Sequence, residues 1–188
     1  VNLLRAARRT LVPVVAALVL TACSGDERGG ASSLPGAVPT GISFPQPDPS
    51  APPAPEFSLV LVDGTPVTGS ELWRERPLVL SFFASWCSQC VDQQAELDAV
   101  AEQTGDVVVI LGIAGEDTES DVAAFLDELE VPHAAAIDDD LSTWRSYGVR
   151  EPPHVVVIAK GGRVIRGWPG VTTAKVISDA LIGLINEE

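Results

Sequence analysis

Residues 78–83 read Leu-Val-Leu-Ser-Phe-Phe, and Trp86-Cys87-Ser88-Gln89-Cys90 follows almost at once. An uncharged run of that length suits an interior strand buried on both sheet faces. The residues after it predict a helix over 88–103, which places the cysteine pair at the helix start. There the first sulfur meets unpaired backbone N–H groups and the positive end of the helix dipole. Both favour a thiolate, which is the nucleophilic form of cysteine. Cys87 is therefore the candidate attacking sulfur. Cys90, one turn deeper, is placed to resolve a mixed disulfide. Two other readings of the pair stand beside this one. A purely structural disulfide would close so small a ring that it restricts the unfolded chain by only about 2 kcal/mol. Half of a metal site would have to draw on His133 and His154, since there is no second cysteine pair.

The rest of the folded part alternates strands and helices. Residues 57–62 and 66–68 flank Asp63-Gly64, a hairpin signal. Residues 107–113 predict a second buried strand. Thr118, with Asp121 three residues on, marks a helix start, and Val122, Phe125, Leu126 and Leu129 give that helix one apolar face. Residues 134–137 suit a short strand and 141–147 a short helix. Residues 155–159 and 163–168 are strands joined through Gly161-Gly162. Val176, Ile177, Ala180, Leu181, Leu184 and Ile185 line a final helix, with Thr172 or Thr173 as its cap. This order predicts an α/β sheet closed by an antiparallel hairpin.

The first residues read as an address. Arg5, Arg8 and Arg9 precede an uncharged run over 11–20, too short to span a bilayer comfortably. A basic start, a short apolar stretch and small residues beyond it describe a secretory signal. The run ends Leu20-Thr21-Ala22-Cys23, which resembles the bacterial lipobox and marks Cys23 as the candidate lipidated residue. The expected divisions are a signal peptide over 1–22, a lipidated Cys23 with a disordered tether to 55, and a folded domain over 56–188. Eight prolines between 24 and 55, with few large apolar residues, support the tether.

Two separated motifs resemble those of a known family. Residues 78–90 look like the active-site strand and motif of the thioredoxin superfamily. Phe57-Ser58-Leu59 through Asp63-Gly64-Thr65-Pro66-Val67 and Tyr147-Gly148-Val149-Arg150-Glu151-Pro152-Pro153 narrow the resemblance to the TlpA/ResA-like exported thiol-disulfide oxidoreductases. It covers 56–188. It implies a thioredoxin-like fold: a central mixed sheet flanked by helices, an N-terminal β-hairpin, and a strand–helix insertion near 107–137. It implies Cys87 as attacking cysteine, Cys90 as resolving cysteine, Trp86 as a flanking apolar platform and Pro153 as a cis-proline shaping the substrate groove. Departures concern proton handling. Ser81 and Gln93 stand where relatives often keep carboxylates, and neither is a useful base near neutral pH. Glu151, two residues before Pro153, is the candidate substitute acceptor for the Cys90 proton. An acid restored at position 93 is expected to speed resolution.

The function implied is thiol-disulfide exchange with exported proteins, with cytochrome c maturation as one pathway. An oxidant of the DsbA or DsbE kind and a copper-binding chaperone using both thiolates and His154 are the alternatives. Peroxiredoxins share the fold but keep a threonine three residues before the reactive cysteine, where this chain has Ala84. No bound cofactor or metal is expected. Expected partners are exported proteins carrying disulfides or thiols, a membrane electron donor or acceptor, and the membrane through the lipid anchor on its extracytoplasmic face. A monomer is expected. Twelve basic residues against 26 acidic ones give a net charge of −14, which repels phosphate backbones and argues against nucleic acid.

Overall fold

The computed structural model describes residues 28–187. The expected signal peptide and Cys23 lie outside the described residues. The strands are β1 (Ile42–Ser43), β2 (Ser58–Leu61), β3 (Pro66–Thr68), β4 (Leu78–Phe83), β5 (Val109–Ala114), β6 (Ala134–Ile137), β7 (His154–Ala159), β8 (Arg163–Pro169) and β9 (Asn186–Glu187). The helices are α1 (Gly69–Leu72), α2 (Ser88–Thr104), α3 (Glu119–Glu128), α4 (Ser142–Ser146) and α5 (Ala174–Ile182).

One sheet runs β3-β2-β6-β5-β4-β7-β8. Its three central neighbours β4, β5 and β6 are parallel, because α2 and α3 carry the chain back between them. The β2–β3 hairpin and the β7–β8 hairpin close the two sides antiparallel. All six residues of β4 and all six of β5 are buried, which explains their unbroken apolar runs.

The two-residue period of β4 sorts its side chains between two layers. Leu78, Leu80 and Phe82 join a cluster with Trp73, Trp144, Val156 and Ile158 on one face. Val79 faces Leu97, Val100, Ile177 and Leu181 of α2 and α5 on the other. Ser81 and Phe83 share that second face, and Phe83 packs with Ala84, Cys87, Cys90 and Phe125. Truncating any of the fully buried leucines to alanine costs about 2–5 kcal/mol.

Several boundaries differ from expectation for identifiable reasons. The second buried strand starts at Val109, because residues 105–107 form a short 3-10 turn after α2. The short α1 follows β3 through a Thr68–Glu71 capping box, which the sequence reading did not single out. Thr118 caps α3 as expected, accepting from the Asp121 N–H at 3.2 Å. Thr173 is the N-cap of α5 but its side chain makes no cap bond. Glu96 of α2 does so instead, accepting from the Ala174 N–H at 2.6 Å. At the β7–β8 turn, Gly162 has φ 79°, and a Cβ there would meet the Trp73 ring at 2.6 Å, so only glycine fits.

The segment expected as a disordered tether differs most. From residue 28 onward it lies against the domain, donating and accepting backbone hydrogen bonds along its length. Ala135 N–H donates to the Gly29 carbonyl at 2.7 Å, and Ala31 N–H donates to Asp63 at 2.7 Å. Residues 42–43 pair antiparallel with 186–187. The Pro52 carbonyl accepts from Val164 N–H at 2.9 Å. Proline removes donors but leaves carbonyls, so a Pro-rich segment can still be held by N–H and guanidinium groups reaching out from a folded surface.

Candidate active site

The geometry begins with the end of β4. Its last residues lead through Ala84, Ser85 and Trp86 to Cys87, which occupies the N-cap of α2. Cys87 N–H donates to the Ala84 carbonyl at 3.1 Å, closing the turn. The Cys90 N–H donates to the Cys87 carbonyl at 3.0 Å and also to the Cys87 sulfur at 3.2 Å, so an α2 N–H is shared with the sulfur expected to be nucleophilic. Cys87 and Cys90 are disulfide-bonded, with Cα atoms 5.3 Å apart. Cys87 is 7% exposed and Cys90 2%, so Cys87 is the less deeply buried residue of the pair.

Trp86 is 59% exposed, and its indole N–H donates to the Glu116 carbonyl at 3.0 Å. That carbonyl belongs to the loop after β5, where Glu116 has φ 55°. Next to it, Asp117 accepts from both the backbone N–H and the hydroxyl of Ser85, the latter at 2.7 Å. The β5–α3 loop thus clamps the turn that carries Trp86 and Cys87. Sequence reasoning missed Asp117 and Glu116, because nothing in local spacing marks contacts 32 and 30 residues away.

The antiparallel register pairs Phe82 of β4 with His154 of β7. Pro153 is the buried residue immediately before β7. The Pro152–Pro153 peptide is cis, and the Pro153 carbonyl accepts from Gly170 N–H at 2.9 Å. An open groove of about 480 Å³ runs here, lined by Gln89 of the motif together with Arg150, Glu151, Pro152, His154 and Pro169. Glu151 is exposed on its wall. His154 is half-buried, packs edge-on to Phe82 with centroids 6.2 Å apart, and has its pKa lowered by burial. Among the described residues, no group of three or more His, Cys, Asp or Glu side chains is placed to hold a metal ion.

The Redoxin family model matches residues 49–180, more than half of the chain and all of this geometry. The chain belongs to the Redoxin family. A thiol:disulfide interchange protein DsbE from Pseudomonas aeruginosa is 30% identical over 138 residues, covering 72% of this chain and 74% of its own. Among solved structures, MTB dsbF in mixed oxidized and reduced forms superposes with TM-score 0.60 at 26% identity, over 67% of this chain and 92% of that one. The exposed lipoprotein thioredoxin Etrx1 of Streptococcus pneumoniae gives TM-score 0.62 at 28% identity, over 69% and 100%. This redoxin is a protein-disulfide oxidoreductase with a thioredoxin-like α/β fold.

Behind the redoxin motif, the two positions noted for lacking carboxylates are both buried. Ser81 lies on the α2-facing side of β4. Gln93 is 1% exposed, and its amide is fully paired: Nε2 donates to the Thr172 carbonyl at 3.0 Å and Oε1 accepts from Thr172 N–H at 2.7 Å. Gln93 is therefore a clamp between α2 and the start of α5, and Glu96 one turn on repeats the attachment. Under the same helix, Gln94 joins the buried His133 to Asp98. Its Oε1 faces His133 Nε2 at 3.2 Å and its Nε2 donates to Asp98 at 2.8 Å. The other His133 nitrogen faces the Ala134 carbonyl at 3.1 Å. Burial pushes the His133 pKa down, opposed by the Ala134 bond and by the Asp98 charge.

Proposed function

We propose that this redoxin reduces or exchanges disulfides of exported proteins outside the cytoplasmic membrane, held there by a lipid on Cys23. The observation that carries the reading is the asymmetry of the pair. Cys87 is the less buried residue of the two, at a helix start and with an N–H directed at its sulfur.

In the reducing direction the Cys87 thiolate attacks one sulfur of a substrate disulfide. A Cys87–substrate disulfide forms, the substrate bond breaks, and the leaving thiolate takes up a proton. Cys90 then loses its proton and attacks the Cys87 sulfur. The Cys87–Cys90 bond forms and the second substrate thiol leaves. Two electrons pass from the cysteine pair to the substrate, and a dithiol donor must later return them. The oxidising direction runs the same steps backwards. Glu151, exposed on the groove wall beside Gln89, is the proposed acceptor for the Cys90 proton. Trp86 offers an exposed apolar platform next to Cys87 in the chain.

The lipid anchor is supported by Leu20-Thr21-Ala22-Cys23 after a basic and apolar start, and Etrx1 is itself described as an exposed lipoprotein. No helix among the described residues is long and apolar enough to cross a membrane. Cytochrome c maturation is the pathway that the family resemblance implies.

Mixed-disulfide trapping tests the reading. Cys90→Ser is expected to accumulate covalent adducts with exported proteins, and Cys87→Ser few. Equal trapping by the two variants removes the assignment of roles.

A further inference from the structure

The residue before Cys87 is held along one edge and bare on its faces. The Trp86 indole N–H donates to the Glu116 carbonyl at 3.0 Å, and Asp117 holds both the backbone N–H and the hydroxyl of Ser85. Glu116 has φ 55°, a left-handed conformation that costs a residue with a side chain and persists where its surroundings hold it. The one polar atom of the indole is thereby satisfied. What Trp86 leaves to solvent, at 59% exposure, is C–H edge and π face. Among the described residues no other aromatic ring and no cation packs on it. Such a face is electron-rich and attracts cations, the indole most strongly of the aromatic side chains.

The charges on that side have one sign. Between Arg76 and Arg145 the chain carries fifteen Asp and Glu residues and no Lys or Arg. β4, β5 and β6 are parallel neighbours, so the loops that follow them emerge at the same end as the cysteine motif. The Asp138 N–H donates to the Ala114 carbonyl at 2.9 Å and ties the loop after β6 to the loop after β5. Glu116, Glu119 and Asp139 are exposed there, and none of them is in an ion pair among the described residues. Asp117 differs, since its oxygens are taken by Ser85 and Thr118. Arg145, where cations resume, donates to the Asp140 carbonyl at 2.7 Å. In the groove before β7 the signs are mixed, with Arg150 beside Glu151. Glu116 stands out because its own carbonyl grips the ring. That keeps its carboxylate within about a screening length of the indole, which is about 10 Å at 0.1 M salt.

We propose that Trp86 and Glu116 form a subsite for a cationic side chain, so that this redoxin prefers disulfides with Lys or Arg next to the reacting cysteine. The proposal rests on the exchange reaction at Cys87. The substrate cation lies over the indole face while its neighbouring cysteine meets Cys87, the residue next to Trp86, and Glu116 supplies the opposite charge. The subsite sets selectivity; the exchange itself runs through the two cysteines.

The test uses the full chain with its cysteine pair reduced. The probes are peptide disulfides with blocked termini that carry Lys, Gln or Glu beside the cysteine. Second-order rates are read by stopped flow. Each is divided by the rate of the same peptide with 2-mercaptoethanol, which removes the effect of the flanking charge on the disulfide itself. The Lys peptide is expected to react about fivefold faster than the Gln peptide, the size of an exposed cation–π contact, and the Glu peptide more slowly than either. The Lys-to-Gln ratio is compared between variants, so changes common to both peptides cancel. Glu116→Gln and Trp86→Leu are each expected to lower it to about two or less. Glu128→Gln removes the same charge from the far end of α3 and is expected to leave the ratio as it is. Equal Lys and Gln rates in the wild type overturn the proposal. So does a ratio that Glu128→Gln lowers as far as Glu116→Gln, because the selectivity then belongs to net charge. A reduced protein that attacks none of the peptides overturns the exchange reading and the subsite together, whereas equal attack on all of them removes the subsite alone.

Discussion

Replacing Gln93 by glutamate is a change of one atom type, and the structure makes its consequence depend on pH. The amide both donates to and accepts from Thr172, and it is buried. A carboxylate could still accept the Thr172 N–H, but its second oxygen would face the Thr172 carbonyl with no proton between them. A protonated carboxyl reproduces both bonds. Burial and the opposed carbonyl therefore raise the native pKa above the ordinary glutamate value of about 4.3. The sign follows from linkage. Above the unfolded pKa the unfolded chain has released the proton and the native state still holds it, so stability falls as pH rises. If the native carboxyl stays protonated to neutrality, the loss at pH 7 is about 2.7 pH units at about 1.4 kcal/mol each, or about 3.7 kcal/mol. That is a large share of a typical domain's stability. Urea unfolding of oxidised wild type and Gln93→Glu at about pH 4, 5.5 and 7 measures it, with near-identical midpoints expected at the acid end. Wild-type-like stability of the variant at neutral pH would refute the neutral-clamp reasoning. The same geometry reverses the expectation drawn from sequence. A carboxyl committed to Thr172 is no proton acceptor, so stopped-flow resolution of a mixed disulfide is expected not to accelerate in this variant.

Burial holds the His133 pKa below its ordinary value, so the unfolded chain binds a proton that the native chain does not as pH falls through about 6.5. Stability is expected to fall below that pH by up to about 1.4 kcal/mol per pH unit, and His133→Gln to flatten the slope; an unchanged slope between about pH 7 and 5 rejects the assignment. Asp117→Ala removes both Ser85 bonds and is expected to cost about 2 kcal/mol in urea unfolding and to slow attack by Cys87, measured by the rate of adduct formation in a Cys90→Ser background. Glu151→Gln is expected to slow resolution near neutral pH by up to about a hundredfold, and an unmoved pH profile in stopped flow makes water the acceptor instead.

What the sequence determined by itself is local or carried by motif. The apolar run over 78–83, the cysteine pair and the caps act over a few residues, so the site's reactive centre and most elements could be read directly. The cis peptide at Pro153 was expected through the family resemblance, and the Pro152–Pro153 bond is cis. Tertiary structure alone decided the contacts that join distant segments. Asp117 finds Ser85 across 32 residues, and Gln93 finds Thr172 across 79. In the chain Asp117 is not distinguishable from an ordinary surface polar group, and Gln93 stood out only as a missing carboxylate, not as a clamp on Thr172. The docked segment over 28–55 belongs to the same class. Its composition describes a segment that cannot bury enough of itself to fold alone, and that is correct of the segment in isolation. It is ordered by donors that the folded domain presents, Arg76, Arg163 and the backbone of Val164 among them, and no property of residues 28–55 reveals them.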